Sequence, residues 1–576
     1  AKANQPDQQA ERELCVLKFG SSVLANEADY AAVAGEVYRH VRDGETVIAV
    51  VSALAGETDA LLAQAEAVGG EAPGDLVARL ARVGELRSAA LTALALSRVG
   101  VRARVLDPDE MGLYAQGDAL DSDLCALDAD RVAEAVEGAE AVVVPGFCAK
   151  HAEHGVSTLG RGGTDLTAVF FAAKVGARRV RLIKDVDGVY AEDPAKNPKA
   201  ERFAELDYAE AAKASAGLIQ PKAIEMARET GVVIEVASLG AGEATRIAAK
   251  PARKSPTRPV QPLRVALLGC GAVGAGAFAM LKSRPDLFEM NPVLVRDPAK
   301  HEASGLGAVF TDTLDRALSG GPDLVIEAIG GADYPADIIE SALNAGAHVV
   351  TANKAAVAKH YARLHEAAER SGAQFAFSAS VGGGAPVIEA VRRLKDRAGL
   401  AAVEGVMNGT GNFILSKLGE GWAFEDAVKT AQDMGFAEAD PSADVDGHDA
   451  ADKLSILIRE AFGADVPPDT IAKDSLSVCS PEKAREALER GEVFKQVGRC
   501  VLKDDGSVEA SVVVAPVKQG GALSRTRNEE NAFLVTDASG RVHAIHGKGA
   551  GRWPTAAAVF ADVMDVQRAA AAVGLA

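Results

Sequence analysis

The chain has 576 residues, of which 48% are hydrophobic and 25% are charged. This composition is that of a folded globular protein and excludes disorder along the whole chain. At roughly 100–200 residues per domain, the length predicts about three to five domains. The formal net charge of -19 repels phosphate backbones and anionic lipids, so we expect small-molecule substrates rather than a nucleic-acid or membrane partner.

The N-terminal residues and the cysteines both favour a cytoplasmic location. Residues 1–12 lack the apolar stretch of a signal peptide, and no apolar run reaches the ~18 residues that a membrane-spanning helix needs. Six cysteines are spread along the chain without a CxxC pair, which is typical of reduced thiols rather than of a disulfide framework or a zinc site. We therefore expect a cytoplasmic protein.

In the first half of the chain, the lysine of KFGSS closes a predicted strand, and a loop with glycine and hydroxyl side chains follows it. Phosphoryl transfer requires mainly hydrogen-bond donors and cations around the phosphates, and Lys18 with the loop amides provides both. A strand-to-helix turn with a solvated lysine is the alternative. The segment alone does not decide between the two interpretations.

In the second half, a GxGxxG pattern lies between an apolar strand and a helical run. Glycine is needed there because a pyrophosphate approaches the backbone closely at the positive end of a helix. Arg296 follows the next predicted strand, where an arginine can accept a 2′-phosphate, and this favours NADP(H) over NAD(H); a solvated arginine is the alternative. The predicted cofactor turn comprises Gly269, Gly271, Ala272, Val273 and Gly274.

A group of carboxylates surrounds one lysine further along the chain. Asp449 and Lys453 are four positions apart, which places them on one face of a helix and within pairing distance. An ordinary ion pair on a helix surface has the same spacing. The spacing therefore leaves a structural and a catalytic interpretation open.

The run from 431 to 453 resembles the diagnostic segment of the homoserine dehydrogenases. The segments TANKA (351–355), SASVGGGAP (378–386), NGTGNFIL (408–415) and GKGAGRWPTA (547–556) resemble further blocks of that family, in the same order. The resemblance spans about residues 263–565. It implies NAD(P)H-dependent interconversion of L-aspartate 4-semialdehyde and L-homoserine.

This resemblance also implies roles for single residues. Lys453 would deliver a proton to the carbonyl oxygen as hydride arrives, Asp449 would orient Lys453, and Lys354 would be a second lysine near that oxygen. Glu438 would take the substrate ammonium group. The substrate would also be bound by Asp444, Gly409 and Thr410, and the cofactor by Thr351.

Two positions depart from the homoserine dehydrogenase pattern. Relatives often carry a glutamate where this chain has Ser378, and that glutamate helps to bind a monovalent cation. Na⁺ or K⁺ held by backbone carbonyls near Val381 and Gly383 is therefore an option for this chain. Phe436 stands where many relatives have tyrosine, which removes one hydroxyl group near the substrate.

Four further segments of the first half occur in the order VSALAGETDALL (51–62), VVPGF (143–147), GRGGTD (160–165) and KDVDGVYAEDP (184–194). With them, residues 13–240 resemble the catalytic domain of aspartate kinases, within the amino acid kinase family. The resemblance implies phosphorylation of L-aspartate by ATP with Mg²⁺. Lys18 would stabilise the transferred phosphoryl group, and Arg161 would grip a substrate carboxylate in a bidentate fork. Aspartate would be bound by Ser52, Thr58, Glu85, Arg161 and Asp165, and the nucleotide by Gly20, Ser21, Lys184, Asp185 and Tyr190.

The kinase-like half also departs from its family. Its first loop is one residue shorter than in aspartate kinases, although KxGSS resembles the related glutamate 5-kinases. The nucleotide-contacting lysine of the family aligns with Gly217, and Lys222 occupies a different position. An alternative is therefore a catalytically inactive domain that serves in oligomerisation or ligand sensing. A third interpretation is a glutamate kinase fused to a glutamyl-phosphate reductase. That reductase needs a thiolate nucleophile to form a thioester, and Cys270, the cysteine near the cofactor motif, lies inside the phosphate loop, which argues against this interpretation.

Taken together, these patterns predict an α/β protein in which an amino acid kinase-like three-layer α/β/α domain precedes a Rossmann dinucleotide-binding domain with an α+β substrate and dimerisation domain. A homodimer or homotetramer is expected from both families. The predicted order is a polar tail over 1–12, the kinase-like domain over 13–247, a linker rich in proline and basic residues over 248–262, the Rossmann domain over 263–400, the catalytic and dimerisation domain over 401–545, and a C-terminal return to the Rossmann domain over 546–576.

Overall fold

The computed structural model describes residues 13–197, 199–255, 261–302, 304–434, 437 and 440–573. They form two compact units, which we call the N-terminal unit (13–255) and the C-terminal unit (261–573). The predicted substrate ligand Glu438 and its neighbour Phe436 lie outside the described residues. Among the helices that are described, none combines the length and apolarity needed to cross a membrane.

The described strands of the N-terminal unit form two sheets. These strands are β1 (Glu13–Phe19), β2 (Glu45–Val51), β3 (Ala103–Val105), β4 (Tyr114–Asp118), β5 (Asp121–Ala126), β6 (Ala141–Pro145), β7 (Cys148–His151), β8 (Gly155–Thr158), β9 (Arg179–Lys184), β10 (Arg202–Leu206), β11 (Val233–Ser238), β12 (Thr245–Ile247) and β13 (Arg253–Ser255). The main sheet has the order β13-β10-β12-β11-β9-β1-β2-β6-β3, and the smaller sheet has the order β5-β4-β7-β8. From β11 to β3 the neighbours are parallel, so the carboxyl ends of β9, β1 and β2 meet at one edge.

Helices cover both faces of the main sheet. They are α1 (Tyr30–Arg42), α2 (Glu57–Gly69), α3 (Gly74–Ala81), α4 (Val83–Val99), α5 (Ala129–Glu137), α6 (Gly163–Val175), α7 (Tyr208–Ala214) and α8 (Pro221–Thr230). Helices α1 and α4 pack against each other and against β2, whereas α6 packs against α5, α8, β1 and β9. The apolar runs of β1, β2 and β6 are buried because helices lie on both sides of them. The predicted three-layer α/β/α fold is confirmed.

Strand β13 lies within the segment that the sequence predicts to be a linker. It pairs antiparallel with β10 at the edge of the main sheet. Arg253 and Lys254 form ion pairs with Glu205 and Glu201, respectively. The sheet therefore continues into this basic segment by backbone pairing, and the opposite charges across the two strands add only a small favourable contribution.

The C-terminal unit begins with a parallel sheet. Its strands are β14 (Leu263–Leu268), β15 (Phe288–Met290), β16 (Val293–Leu294), β17 (Phe310–Thr311), β18 (Leu324–Glu327), β19 (His348–Thr351) and β20 (Phe375–Ala376), and its helices are α9 (Ala272–Lys282), α10 (Pro298–Glu302), α11 (Leu314–Ala317), α12 (Asp333–Asn344) and α13 (Lys354–Ser371). The strand order is β17-β16-β14-β18-β19-β20, with β15 also paired to β14. The order reverses between β14 and β18, and in such sheets a ligand binds at the carboxyl ends of the strands on either side of that reversal. The predicted Rossmann arrangement is confirmed.

A second, mainly antiparallel sheet carries the rest of this unit. It has the order β22-β24-β23-β21-β25-β26. Its strands are β21 (Leu400–Val406), β22 (Ala472–Lys473), β23 (Glu492–Leu502), β24 (Val508–Lys518), β25 (Glu530–Asp537) and β26 (Val542–Lys548), and its helices are α14 (Val387–Ala398), α15 (Gly409–Gly419), α16 (Phe424–Asp433), α17 (Ser442–Val445), α18 (His448–Phe462), α19 (Pro481–Glu489), α20 (Ala522–Arg525) and α21 (Arg552–Val573). Helix α18 packs against α13 and α14, and α21 returns to pack against α9 and β19. These contacts join the second sheet to the Rossmann sheet around the candidate site.

Candidate active sites

The turn between β14 and α9 has the geometry of a pyrophosphate site. Gly269 has φ +97°, and a Cβ atom on Gly274 would lie 2.1 Å from the Gly269 carbonyl oxygen, so both positions require glycine. A Cβ atom on Gly271 would have no neighbour within 4 Å among the described residues, so a ligand can reach the backbone there. Gly271 is the N-cap of α9 and provides no side-chain cap, which leaves the first amides of the helix for an anion.

Arg296 lies just beyond β16, which is the neighbour of β14 on one side. Its side chain is exposed, as a group that meets a cofactor phosphate must be before binding. Cys270, which follows the first glycine of the turn, is buried, and burial raises the pKa of its thiol. A buried neutral thiol is a poor nucleophile, which agrees with the sequence argument against a thioester mechanism.

Glu327 is the last residue of β18, and its hydrogen bonds connect the carboxyl ends of β18 and β19. Its carboxylate is fully buried and accepts hydrogen bonds from the Ile329 amide at 2.7 Å and the Thr351 hydroxyl at 2.6 Å. Asn353 donates to the Gly331 carbonyl at 2.8 Å and caps α13 through its own side-chain oxygen. Sequence reasoning selected Thr351 but missed Glu327 and Asn353. The acidic residue at the end of the apolar strand LVIE was the available signal.

Two lysines meet on the carboxylate of Asp449. The Lys453 Nζ lies 2.7 Å from Asp449 Oδ2, and the Lys354 Nζ lies 3.0 Å from Asp449 Oδ1. Lys354 is the first residue of α13 and Asp449 the second of α18, so the packing of these helices creates the cluster. Lys453 also donates to the Met407 carbonyl at 2.7 Å. The structure therefore joins three of the predicted catalytic residues.

The charges in this cluster shift its pKa values in the directions that catalysis requires. Burial alone would raise the pKa of Asp449, but Lys453 and then Lys354 together hold it well below the usual range. The same carboxylate raises the pKa of Lys354. Asp449 is therefore ionised throughout the working pH range and keeps the amine of Lys354 protonated.

Asn408 connects the cluster to the predicted substrate residues. Its amide nitrogen donates to Asp444 Oδ1 at 2.7 Å and to Asp449 Oδ2 at 2.9 Å, while its oxygen accepts from the Gly411 amide at 2.7 Å and so caps α15. Thr410 is buried in the first turn of this helix. Burial raises the pKa of Asp444, and the hydrogen bond from Asn408 opposes that rise. Sequence reasoning missed Asn408, although asparagine ahead of a helix is a cap signal.

The loop proposed to hold a cation contains Val381 and Gly383. Gly383 has φ +57°, and a Cβ atom there would lie 2.5 Å from the Gly549 carbonyl oxygen, so two glycine loops touch at this point. Ser378 donates its backbone amide and its hydroxyl to the buried carboxylate of Asp562, at 3.0 Å and 2.8 Å. A cation held by the carbonyls near Val381 and Gly383 stays a prediction, and no step below involves a cation.

In the N-terminal unit, Lys18, Asp165 and Lys184 form a second cluster of two lysines around one carboxylate. The Lys18 Nζ lies 2.8 Å from Asp165 Oδ1, and the Lys184 Nζ lies 3.1 Å from Asp165 Oδ2. Burial would raise the pKa of Asp165, but Lys18 and Lys184 lower it. Burial, reinforced by Lys18, lowers the pKa of Lys184 to about 8. A Cβ atom on Gly20 would lie 2.3 Å from the Lys18 Nζ, so glycine gives this lysine its space.

The residues predicted to bind aspartate lie around the ends of β2, α2 and α4. Ser52 follows β2, and its amide donates to the Phe19 carbonyl at 3.0 Å. Glu85 in α4 is buried; one carboxylate oxygen accepts weakly from the Ala53 amide at 3.4 Å, and the other has no hydrogen-bond partner within the described chain. Burial raises the pKa of Glu85 to about 7. Thr58 is half-buried at the start of α2.

Arg161 points into solvent in the structure. Its side chain is 96% exposed and lies 3.5 Å from Asp59, in a surface ion pair. On the nucleotide side, Ser21 and Asp185 are exposed, and the Tyr190 hydroxyl donates to Asp187 at 2.7 Å. The structure thus groups Lys18, Asp165 and Lys184 tightly but leaves Arg161 outside the group.

These features define the class of protein to which the C-terminal unit belongs. A Rossmann sheet with an open glycine turn, and with a cluster of lysine and aspartate side chains just beyond the carboxyl end of its strand β19, is the site of a nicotinamide-dependent oxidoreductase. Residues 269–378 match the family described as the homoserine dehydrogenase NAD-binding domain, and residues 386–564 match the homoserine dehydrogenase family. Residues 13–238 match the amino acid kinase family.

Curated and solved relatives agree with this assignment. The homoserine dehydrogenase of Pseudomonas aeruginosa is 34% identical over 320 residues, covering 54% of this chain and 73% of the relative. The homoserine dehydrogenase of Bacillus subtilis is 34% identical over 318 residues, covering 53% and 73%. A homoserine dehydrogenase structure from Thiobacillus denitrificans matches with a TM-score of 0.52 at 34% identity, covering 55% of this chain and 75% of that one. The chain belongs to the homoserine dehydrogenase family and carries an amino acid kinase domain ahead of it.

Proposed function

We propose that the C-terminal unit interconverts L-aspartate 4-semialdehyde and L-homoserine with NADP(H), and that the N-terminal unit phosphorylates L-aspartate with MgATP. The observation that supports the first activity is the pair of lysines on Asp449, beside the crevice of a dinucleotide fold. The second activity is supported by the pair of lysines on Asp165. On the family resemblances we also expect a cytoplasmic homodimer or homotetramer, with small molecules as its substrates.

The dehydrogenase chemistry follows from the hydrogen bonds of Lys453. When bound, the reduced nicotinamide supplies a hydride to the aldehyde carbon. The ammonium group of Lys453 has three N–H donors, and the Met407 carbonyl and Asp449 take two of them. The third is available for the aldehyde oxygen, where it stabilises the developing negative charge and then transfers its proton. Asp449 stays ionised and orients Lys453 through their contact at 2.7 Å.

The first turn of α15 is suited to bind the other end of the substrate. Asn408 caps the helix through Gly411, and we expect the substrate carboxylate to bind at the amide of Gly409 in this first turn. Asp444 lies on the other side of Asn408 and would attract the substrate ammonium group, together with Glu438 as the sequence predicts. Opposite charges at the two ends would hold the aldehyde in one orientation against Lys453.

The direct test of both activities is a pair of assays on the purified full chain. We expect homoserine-dependent reduction of NADP⁺, followed by absorbance at the nicotinamide band, and aspartate-dependent release of ADP in a separate coupled reaction. If the chain releases ADP with aspartate but does not reduce NADP⁺ with homoserine, the dehydrogenase assignment is refuted. If it reduces NADP⁺ with homoserine but does not release ADP with aspartate, the kinase assignment is refuted.

Arg296 provides a test of the cofactor preference. Replacing it by serine should raise KM for NADPH by about tenfold, because a charge-assisted hydrogen bond to the 2′-phosphate contributes roughly 1.5 kcal/mol or more. KM for NADH should change little, since NADH has no phosphate at that position. Equal effects on the two cofactors would contradict the proposed contact.

The raised pKa of Glu85 leads to a prediction of how kinase activity depends on pH. As an anion it would bind the ammonium group of aspartate, and its pKa is raised to about 7 by burial. The kcat/KM for aspartate should therefore rise as the pH increases through that value, since only the deprotonated carboxylate attracts the substrate. In Glu85→Gln this rise should disappear and kcat/KM should be low throughout. A wild-type profile that is flat between pH 6 and 8 would exclude this role.

An inactive kinase-like domain is the second candidate for the N-terminal unit. The observation that favours it is Gly217, which stands where the aspartate kinases carry a nucleotide-contacting lysine and therefore provides no cation. In that case the unit would bind MgATP, measured by calorimetry, without releasing ADP in the presence of aspartate or glutamate. Aspartate-dependent ADP release would exclude it.

A further inference from the structure

A thiol, an imidazole and a carboxylate lie together in the N-terminal unit, towards the amino ends of β1 and β2. They belong to Cys15, His40 and Glu45, and one ligand atom from each residue lies within 4.8 Å of the other two. Cys15 is fully buried, and the side chains of His40 and Glu45 are only 3% and 12% exposed. No other group of this kind occurs in the part of the chain that the structure describes.

The pairing of β1 with β2 brings Cys15 and Glu45 to the same face of the main sheet. Glu45 is opposite Glu13 in the parallel register, and Cys15 lies two residues beyond Glu13. Side chains two residues apart in a strand point to the same face, so Cys15 and Glu45 share it. Helix α1 packs against β2 and carries His40 in its last turn, only a short turn before β2 begins. The three residues are thus assembled by three elements, which is why the cysteine spacing in the sequence did not indicate a metal site.

The two nitrogen atoms of the His40 ring face different carboxylates. Nδ1 lies 2.5 Å from Glu45 Oε2, and Nε2 lies 3.4 Å from Glu36 Oε1. A histidine that binds a metal through one nitrogen almost always donates its other N–H to a carboxylate, a carbonyl or water, which fixes the orientation of the ring. Glu36 is itself buried and accepts hydrogen bonds from the Gly240 amide at 2.9 Å and from Arg39. It therefore has the position of the outer carboxylate beside a metal-binding histidine.

The three donors match the ligand preferences of zinc. Zn²⁺ binds thiolate sulfur, imidazole nitrogen and carboxylate oxygen at roughly 2.0–2.3 Å, so the donor atoms of a tetrahedral site are about 3.3–3.7 Å apart. Small rotations of the Cys15, His40 and Glu45 side chains bring donors that already lie within 4.8 Å to that spacing. A thiolate and a carboxylate together balance the two charges of the ion when the imidazole is neutral. The other oxygen of Glu45 is held by Arg179 at 2.8 Å, which orients this carboxylate.

We propose that Cys15, His40 and Glu45 form a structural zinc site that joins helix α1 to strands β1 and β2, with a water molecule as the fourth ligand. The full burial of Cys15 leaves no access for a substrate, so the site serves stability rather than catalysis. Bound zinc adds its binding free energy to that of folding, because the three ligands are not assembled in the unfolded chain. The inference does not depend on the proposed kinase function, since Lys18 and Lys184 lie towards the carboxyl ends of their strands.

The test titrates ZnCl₂ into the reduced, metal-free full chain by isothermal titration calorimetry. The wild-type chain should bind one zinc ion with a Kd of about 1 μM or lower. At free zinc of about a hundred times Kd, the melting temperature of the N-terminal unit should rise by about 5 °C. Cys15→Ser should weaken zinc binding by about a hundredfold or more, because a serine hydroxyl does not replace a thiolate ligand. Cys125→Ser is the matched control: Cys125 is exposed, so its loss should leave zinc binding unchanged.

Two further measurements keep the test decisive if Cys15→Ser does not fold. The wild-type chain loaded with Co²⁺ should show a sulfur-to-cobalt charge-transfer absorption, which reports a thiolate ligand and should persist in Cys125→Ser. Glu45→Gln, at the more exposed end of the site, should weaken zinc binding by about tenfold or more, because a neutral amide oxygen is a poor zinc ligand. The inference is overturned if the wild-type chain binds no zinc, if Glu45→Gln or a folded Cys15→Ser binds zinc like the wild-type chain, or if Cys125→Ser loses the zinc.

Discussion

Lys453→Ala should lower the kcat of homoserine oxidation and of aldehyde reduction by about a thousandfold, since general acid catalysis and charge stabilisation at the oxygen are both lost. KM for homoserine should change by less than about threefold, because the interaction is made mainly in the transition state. Folding should be retained because Asp449 keeps its contact with Lys354 at 3.0 Å. Steady-state kinetics in both directions measure the effect.

A suitable control for this variant is Lys503→Ala. Lys503 is 50% exposed, forms a surface ion pair with Glu509 at 3.0 Å, and directly follows the last residue of β23. Its loss should leave kcat within about twofold of the wild-type value, because exposed ion pairs contribute little. A Lys453→Ala variant with an unchanged turnover number would remove the central step of the proposed dehydrogenase mechanism.

Asp165→Asn should abolish kinase turnover, with kcat reduced by about a hundredfold or more, because the carboxylate that spaces the two lysines is lost. Without it, Lys18 and Lys184 face each other with no anion between them, and Lys184, whose pKa is already lowered to about 8, would lose its proton more readily. The unfolding free energy of the N-terminal unit should also fall, by about 3 kcal/mol as for other buried ion pairs that lose one partner.

The fused chain supplies an internal control for this second experiment. Homoserine-dependent reduction of NADP⁺ by Asp165→Asn should equal that of the wild-type chain, since Asp165 belongs to the N-terminal unit and the dehydrogenase residues to the C-terminal unit. Differential scanning calorimetry should show a lower melting temperature for one transition. Kinase turnover at the wild-type rate would show that this carboxylate does not organise the phosphoryl site.

Much of the fold could be predicted because its signals are local. The alternation of apolar runs predicted the parallel sheets, and the spacing of the glycines at 269–274 predicted a turn that the backbone geometry now explains, with Gly274 against the Gly269 carbonyl. Asp449 and Lys453 lie one helical turn apart, so their pairing at 2.7 Å was also expected. The edge strand β13 was missed because its partner in the sheet, β10, is distant along the chain.

Other parts of the two sites depend on contacts between elements far apart in the chain. Lys354 reaches Asp449 only because α13 packs against α18. Asn408 could not be selected from the sequence, because its role depends on the Asp449 carboxylate that packing brings within hydrogen-bond distance. The same holds for Glu327, which accepts a hydrogen bond from the Thr351 hydroxyl. Arg161 resembles a substrate ligand in the sequence, yet its side chain lies in solvent beside Asp59.

The amino-acid sequence by itself determined the class of each half, because short-range periodicity, glycine spacing and family motifs are properties of neighbouring residues. Only the tertiary structure decided that Lys184 and Lys18 share Asp165 and that Gly217 stays exposed. The physical reason is that an ion pair depends on the distance between side-chain atoms, which is set by how strands and helices pack. A spacing along the chain cannot specify that distance.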